Sequence, residues 1–349
     1  MKPKSIRATA WLLLFLLVSG CTSPVEMDAK LFPDPGLESA VRIYSGNWDG
    51  PITPESVASM RRLRAVDLGV RSLEGVQHCH ALEELLIITN FNADEHERND
   101  IPDLSLLSGL TNLRVLYLSG CGVSDIGPIA NLTRLESLGL EGNRIRDVSP
   151  LRNLTGLEWL LIYDNDIVDI EPLENLNALE VFLASNNEIT NIDVVSRFPL
   201  LEGLGLSGNP VQDLTPVLQL RNLTNLNLQD MELTSLSWLE SMTQLTRLSV
   251  SENSVSDIHP LANLSALEVL IIEDNNVSDL TPLSGLSDLR ILRLSGNPIE
   301  DLMPLLLNTG LGEGDRLWIS DTDLDYTDGS DDMRKLEALS QRGVEVNLD

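Results

Sequence analysis

Three stretches carry side chains of the kinds that ligate metal ions or move protons. His78 and His80 flank Cys79, a His-x-His spacing that offers at most two or three donors. Zinc needs further ligands placed around such a pair. Asp94, Glu95, His96 and Glu97 form a short acidic run, and a run of this kind on a loop is ordinarily solvated. Asp321, Asp323, Asp325 and Asp332 fall on positions one, three, five and twelve of a twelve-residue calcium loop. Tyr326 stands where that loop needs glycine, Leu324 keeps an inward phase, and Asp331 is placed to cap a following helix. The chain has no phosphate-binding glycine loop, nucleophile elbow or paired zinc motif. We therefore expect no catalytic residues, no metal and no cofactor, and we do not read the chain as an enzyme.

The remaining chemistry is at the start. Residues 1–20 combine Lys2, Lys4 and Arg7 with an apolar run from Trp11 to Val18. This is the pattern of a secretory leader, and the run is too short to span a bilayer, which takes roughly 20 apolar residues. Val18-Ser19-Gly20-Cys21 resembles the lipobox of bacterial lipoproteins. That resemblance implies cleavage before Cys21, acyl chains on Cys21 and, in a cell with two membranes, delivery to the outer membrane. The expected location is the cell envelope, lipid-anchored. Loss of the leader takes the net charge from −29 to −32 by removing its three cations. So acidic a surface argues against nucleic acid and against polybasic membrane docking. Cys79 and Cys121, the other two cysteines, sit in separate coils and read as small core residues.

The elements that position everything else repeat. Leu113, Leu135, Leu157, Leu179, Leu201, Leu223, Leu245, Leu267 and Leu289 each open a segment of 22 residues with the pattern L-x-x-L-x-L-x-x-N-x-[IVL]-x-D-[IVL]-x-P-[IVL]-x-x-L. The leucines at places one, four and six bury one face of a short strand that stacks in parallel on its neighbours. Asparagine at place nine (Asn143, Asn165, Asn187, Asn209, Asn253, Asn275, Asn297) turns the chain out of the strand, its amide free to bond backbone groups of adjacent coils. Cys121 and Met231 interrupt that row. The proline that follows fixes φ and removes a donor, which predicts 3-10 turns on the convex side.

These repeats resemble those of bacterial internalin-type leucine-rich-repeat proteins, as do Phe32-Pro33-Asp34-Pro35-Gly36-Leu37-Glu38 and Leu73-Glu74-Gly75-Val76 in the cap before them. The expected fold is an α/β solenoid, a right-handed leucine-rich-repeat superhelix with a parallel concave sheet, 3-10 turns on the convex side and helical caps. The expected organisation is leader 1–20, lipidated tether 21–31, N-terminal cap and degenerate first coil 32–81, repeats 82–310 and C-terminal cap 311–349. The coil opening at Leu82, with Leu85, Ile87 and Asn90, carries an insertion at about 91–99.

Places three, five and seven face outward, where the fold does not dictate the residue. Tyr117, Trp159, Leu161, Tyr163, Val181 and Leu183 gather there on neighbouring strands, with Gly139 leaving a recess. A weaker patch holds Val269, Ile271 and Ile291 near Arg247 and Arg293. Contiguous exposed apolar residues mark interaction surfaces. The expected function is a membrane-anchored module that binds a protein or other macromolecular ligand on its concave face. The alternative is a structural or self-associating envelope scaffold.

Overall fold

The structure is a computed structural model that describes residues 30–89 and 99–348. Cys21, Asn90 and the acidic run Asp94 to Glu97 lie outside the described residues. Residues 31–349 form one compact unit.

The unit opens with α1 (Pro35–Ser45), capped by the Asp34 carboxylate, which accepts from the Leu37 amide at 2.8 Å, and then the one-turn α2 (Pro54–Val57), capped by Thr53. Thirteen strands follow: β1 (Arg62–Val66), β2 (Glu84–Ile88), β3 (Val115–Ser119), β4 (Ser137–Gly139), β5 (Trp159–Leu161), β6 (Val181–Leu183), β7 (Gly203–Gly205), β8 (Asn225–Asn227), β9 (Arg247–Ser249), β10 (Val269–Ile271), β11 (Ile291–Arg293), β12 (Arg316–Trp318) and β13 (Glu345–Asn347). They form one sheet in chain order, every neighbouring pair parallel. Through the repeats the register is one period, so Leu116, Leu138, Leu160 and Phe182 stand beside one another. α3 (Met303–Leu307) and α4 (Asp331–Gln341) complete the C-terminal end. Ser330, not Asp331, caps α4: its hydroxyl accepts from the Met333 amide at 3.0 Å, and Asp331 is the first helical residue.

The leucines at places one, four and six are fully buried, and together with the valines and isoleucines of the turns they form one continuous core. The convex side is 3-10 turns, several opened by the repeat proline, as at Glu171–Leu173 and Thr281–Leu283. The aspartate at place thirteen starts these turns. Asp147, Asp213 and Asp279 each accept from the amide two residues on, which holds their carboxyls below the usual range.

Each asparagine at place nine bonds across two coils. The Asn187 Oδ1 accepts from the Ile167 amide at 3.0 Å, and its Nδ2 donates to the carbonyls of Ile162, Ala184 and Ser185 at 3.0, 3.0 and 3.2 Å. Asn143, Asn165, Asn209, Asn253, Asn275 and Asn297 repeat the arrangement. The turn itself is made one place earlier. Gly120, Gly142, Asp164, Asn186, Gly208, Asp230, Glu252, Asp274 and Gly296 all have φ between 52° and 71°. Glycine and asparagine or aspartate visit that region at least cost.

Candidate concave-face interface

The sheet buries alternate residues, so places three and five of each strand point to the open concave face. Trp159 is 46% exposed at the start of β5, and Val181 and Leu183 lie half-exposed beside it on β6. Gly203 and Gly205 on β7 carry no side chains to fill the space next to them, and Val181 and Leu183 lean over them: a Cβ at 205 would lie 3.0 Å from the Leu183 Cδ2. Asn225 and Asn227 on β8 are exposed, and among the described residues neither side-chain amide has a hydrogen-bond partner. Val269 and Ile271 on β10 rise on the far side. The result is a trough of about 680 Å³ that joins the two apolar patches across a floor of glycine and free amides.

Charge is distributed unevenly over this trough. Arg247, at place three of β9, is exposed and makes no ion pair among the described residues. Arg293 lies with its guanidinium 4.8 Å from the Trp318 ring centroid and 3.5 Å from the Glu273 carboxylate. Glu252, Glu273 and Asp274 line the other edge, where the strands end. Cations thus face places three and five while carboxylates face places seven and eight.

Tyr117, Leu161 and Tyr163 lie outside the trough lining. The recess expected over Gly139 is filled: a Cβ there would lie 2.3 Å from the Tyr117 Cδ1 and 2.9 Å from the Glu141 Oε2. Tyr117 lies flat on β4, its hydroxyl 2.8 Å from the Ser137 Oγ. Glu141, at an outward place by phase, is only 7% exposed. One carboxylate oxygen accepts from the Ser119 hydroxyl, and the other has no hydrogen-bond partner. Burial and the neighbouring Glu141 carboxylate push the Tyr163 hydroxyl up. Several place-seven side chains are therefore structural rather than free. The Ser207, Ser251 and Ser295 hydroxyls accept the amides of Gln229, Glu273 and Ser320 in the next coil, at 3.0, 3.0 and 3.1 Å. The signal in the sequence is the recurrence of serine there, a residue small enough to bond without projecting.

The sulfur and acidic stretches stay apart. Cys79 and Cys121 are buried free thiols, pushed up by burial to about 11 and about 12. In the C-terminal stretch, Asp325 accepts from Thr327, Asp331 and Asp332 pair with Lys335, and no group of three or more potential metal ligands converges among the described residues.

Repeat, ladder and caps together agree with the comparisons to known proteins. The Leucine Rich repeats (2 copies) family matches residues 111–153 and 265–306. The crystal structure of an internalin, InlF, from Listeria monocytogenes is 30% identical, with a TM-score of 0.74, over 91% of this chain and 96% of that one. The chain belongs to the internalin-type leucine-rich-repeat proteins. Proteins of this type are generally protein-interaction scaffolds. The internalin-type fold is also shared by a leucine-rich-repeat protein from Leptospira interrogans, 18% identical with a TM-score of 0.65, covering 84% of this chain and 91% of that one. A plant peptide hormone receptor, RGFR1, in complex with RGF2 is 20% identical with a TM-score of 0.54 over 74% of this chain and 42% of that one, a likeness of fold. No curated protein matches the sequence.

Proposed function

We propose that this internalin-type chain is a lipid-anchored binding protein of the cell envelope, held by acyl chains on Cys21, and that it holds a protein partner in its concave trough. The observation that carries the reading is the trough itself. A half-exposed tryptophan, two half-exposed aliphatic side chains, two unpaired amides and an unpaired arginine share one concave surface whose fold needs none of them. Large aromatic and arginine side chains beside a recess are the usual anchors of protein interfaces. Carboxylates at the opposite edge repel acidic competitors. No reaction is proposed, because no acid, base and nucleophile converge among the described residues.

A photo-reactive side chain at Asn225 tests the location, with one at the exposed Leu200, outside the trough, as the control. The expected result is a covalent adduct with a different protein from position 225 and none from 200. An adduct of the chain with itself supports the scaffold reading instead, and adducts from 200 alone sink the concave assignment. Trp159→Ala should lower the adduct yield at limiting partner about tenfold or more, the loss expected of an anchor residue. Trp159 contributes little to the core, so the thermal midpoint should stay near wild type.

A further inference from the structure

Five of the eleven exposed large apolar side chains among the described residues lie together at the N-terminal end. Ile43, Tyr44, Trp48, Val66 and Leu68 are all largely exposed, and Trp48 reaches 64%. They belong to α1, the loop after it and the first strand with its turn. Arg61, Arg62 and Arg64 lie at the same end, in a chain of net charge −29. Arg61 bonds Glu83 at 3.0 Å and Arg64 bonds Glu84 closely, while Arg62 lies 3.6 Å from Glu84. Arg62 makes no hydrogen bond through its side chain among the described residues. An open cavity of about 360 Å³ lies between Tyr44, Ser45, Ser59, Arg61 and Arg62, with hydroxyl and guanidinium donors on its wall.

We infer that the N-terminal cap is a membrane-contact surface that rests on phospholipid, with Trp48, Tyr44 and Ile43 in the interface and Arg61 and Arg62 on lipid phosphate. Tryptophan and tyrosine favour that boundary because one end of each ring is apolar and the other is wet. The occupant follows from chain length and chemistry. The inference rests on the proposed anchor at Cys21, which leaves nine residues, Thr22 to Lys30, before the compact unit. Nine residues reach at most about 30 Å, so this end is the one held near the lipid. The acidity of the distal coils does not oppose the contact. Twelve strand spacings of about 4.8 Å make the sheet roughly 58 Å across, while the screening length at physiological salt is about 8 Å.

The experiment uses the chain from Thr22 onward, which keeps the whole compact unit and carries no acyl group or leader. It is sedimented with sucrose-loaded vesicles of phosphatidylcholine and phosphatidylglycerol. The expected result is saturable partition, lowered about tenfold by Ile43→Ser with Trp48→Ala, since interfacial binding scales with buried apolar area. Arg61→Gln with Arg62→Gln should abolish the preference for phosphatidylglycerol. Circular dichroism matched to wild type shows that both variants fold. Vesicle partition at background, or variants that partition as wild type does, overturns the proposal. Protection of Arg61 and Arg62 from modification by inorganic phosphate, without vesicle binding, also overturns it in favour of a phosphate site. Labelled fatty acid uptake by the full chain is scored separately. Uptake without cap binding leaves the anchor standing and removes the contact, and cap binding without uptake does the reverse.

Discussion

Two junctions between coils, at Ile145 and at Val211, show what the asparagine row supplies. At the junction after Ile145, both backbone groups of that residue are used by the next coil. Its amide donates to the Asn165 Oδ1 at 3.0 Å, and its carbonyl accepts from the Asp166 amide at 3.0 Å. At the junction after Val211, the residue in the same place of its own coil, neither group has a partner among the described residues, although the side chain is buried. Met231 stands where the asparagine would be and offers no acceptor. Glu232 adopts a left-handed φ of 55°, so its amide is not presented to the Val211 carbonyl. A cleft of about 680 Å³ lined by Val211, Met231, Leu233 and Trp238 lies at this junction. Its volume equals that of the concave trough, but its origin is a missing ladder rung rather than an assembled surface.

Cys121 shows that losing the asparagine does not by itself open a gap. There the thiol lies 3.4 Å from the Ile87 carbonyl, the Ile101 amide donates to the Cys121 carbonyl at 2.7 Å, and the left-handed position after it is Gly122. A small residue with a weak donor followed by glycine keeps the coils joined. Methionine followed by glutamate leaves the Val211 backbone unbonded, and the pairing of β7 and β8 holds the coils together there.

The largest expected effect comes from breaking a sound junction. Asn187→Ala removes one acceptor and three donor contacts in the core, so it should lower stability by about 1–3 kcal/mol, read as a lower denaturant midpoint at unchanged slope. A midpoint unmoved within error would mean that the ladder bonds carry no net weight. Repairing the gap should give a smaller gain. Met231→Asn supplies the acceptor that the Val211 amide lacks and should stabilise by about 1 kcal/mol. Slower hydrogen exchange at Val211, and not elsewhere, would show that the gain is local. Glu232→Gly relieves the left-handed backbone and should add about 0.5–1 kcal/mol. If Met231→Asn lets residue 232 return to the ordinary conformation, the two gains will not add.

The smallest effect is in acid. Asp279 has its carboxyl held below the usual carboxylate range by the Thr281 hydroxyl and amide. A depressed folded value contributes stability above the unfolded pKa that is lost as pH falls through the folded one. Asp279→Asn keeps an acceptor but cannot titrate. The stability difference between wild type and this variant should be constant above about pH 4 and shrink below it. Taking the difference cancels the relief of charge repulsion that both proteins share. The coil with the gap starts its turn with Ser235, which accepts from the Ser237 amide at 3.2 Å, so Ser235→Ala should show no such acid limb.

The fold was legible because each buried position repeats at a constant period: leucine phase, asparagine row and turn proline all stand in the sequence as columns. Place eight was nearly as legible, a column of glycine, aspartate and asparagine broken only by Glu252, but the neighbouring asparagines drew the turn to themselves. The trough was legible only in pieces. Periodicity says that Trp159, Val181 and Val269 face one way, but not that the glycines and amides between them join two patches into one surface. Tyr117 shows the limit most clearly. Its outward phase is correct, yet the side chain lies down over Gly139, because a neighbour without a Cβ leaves a place to lie and the Ser137 hydroxyl offers a partner there. A rotamer choice of this kind depends on three coils at once.

The open junction at Val211 also has a mechanical meaning. A stack whose members touch only their neighbours passes a load from each coil to the next. A chain held at its N-terminal end and pulled through a partner in its trough, which is lined from β5 to β11 and so straddles this junction, carries that tension across a seam that lacks both Val211 backbone bonds. The partner itself would then act as a splint across a junction that the β7–β8 pairing holds without an asparagine rung. In single-molecule extension, the expected signature is a first yielding event dividing the array near residues 211–231, moved to higher force by Met231→Asn.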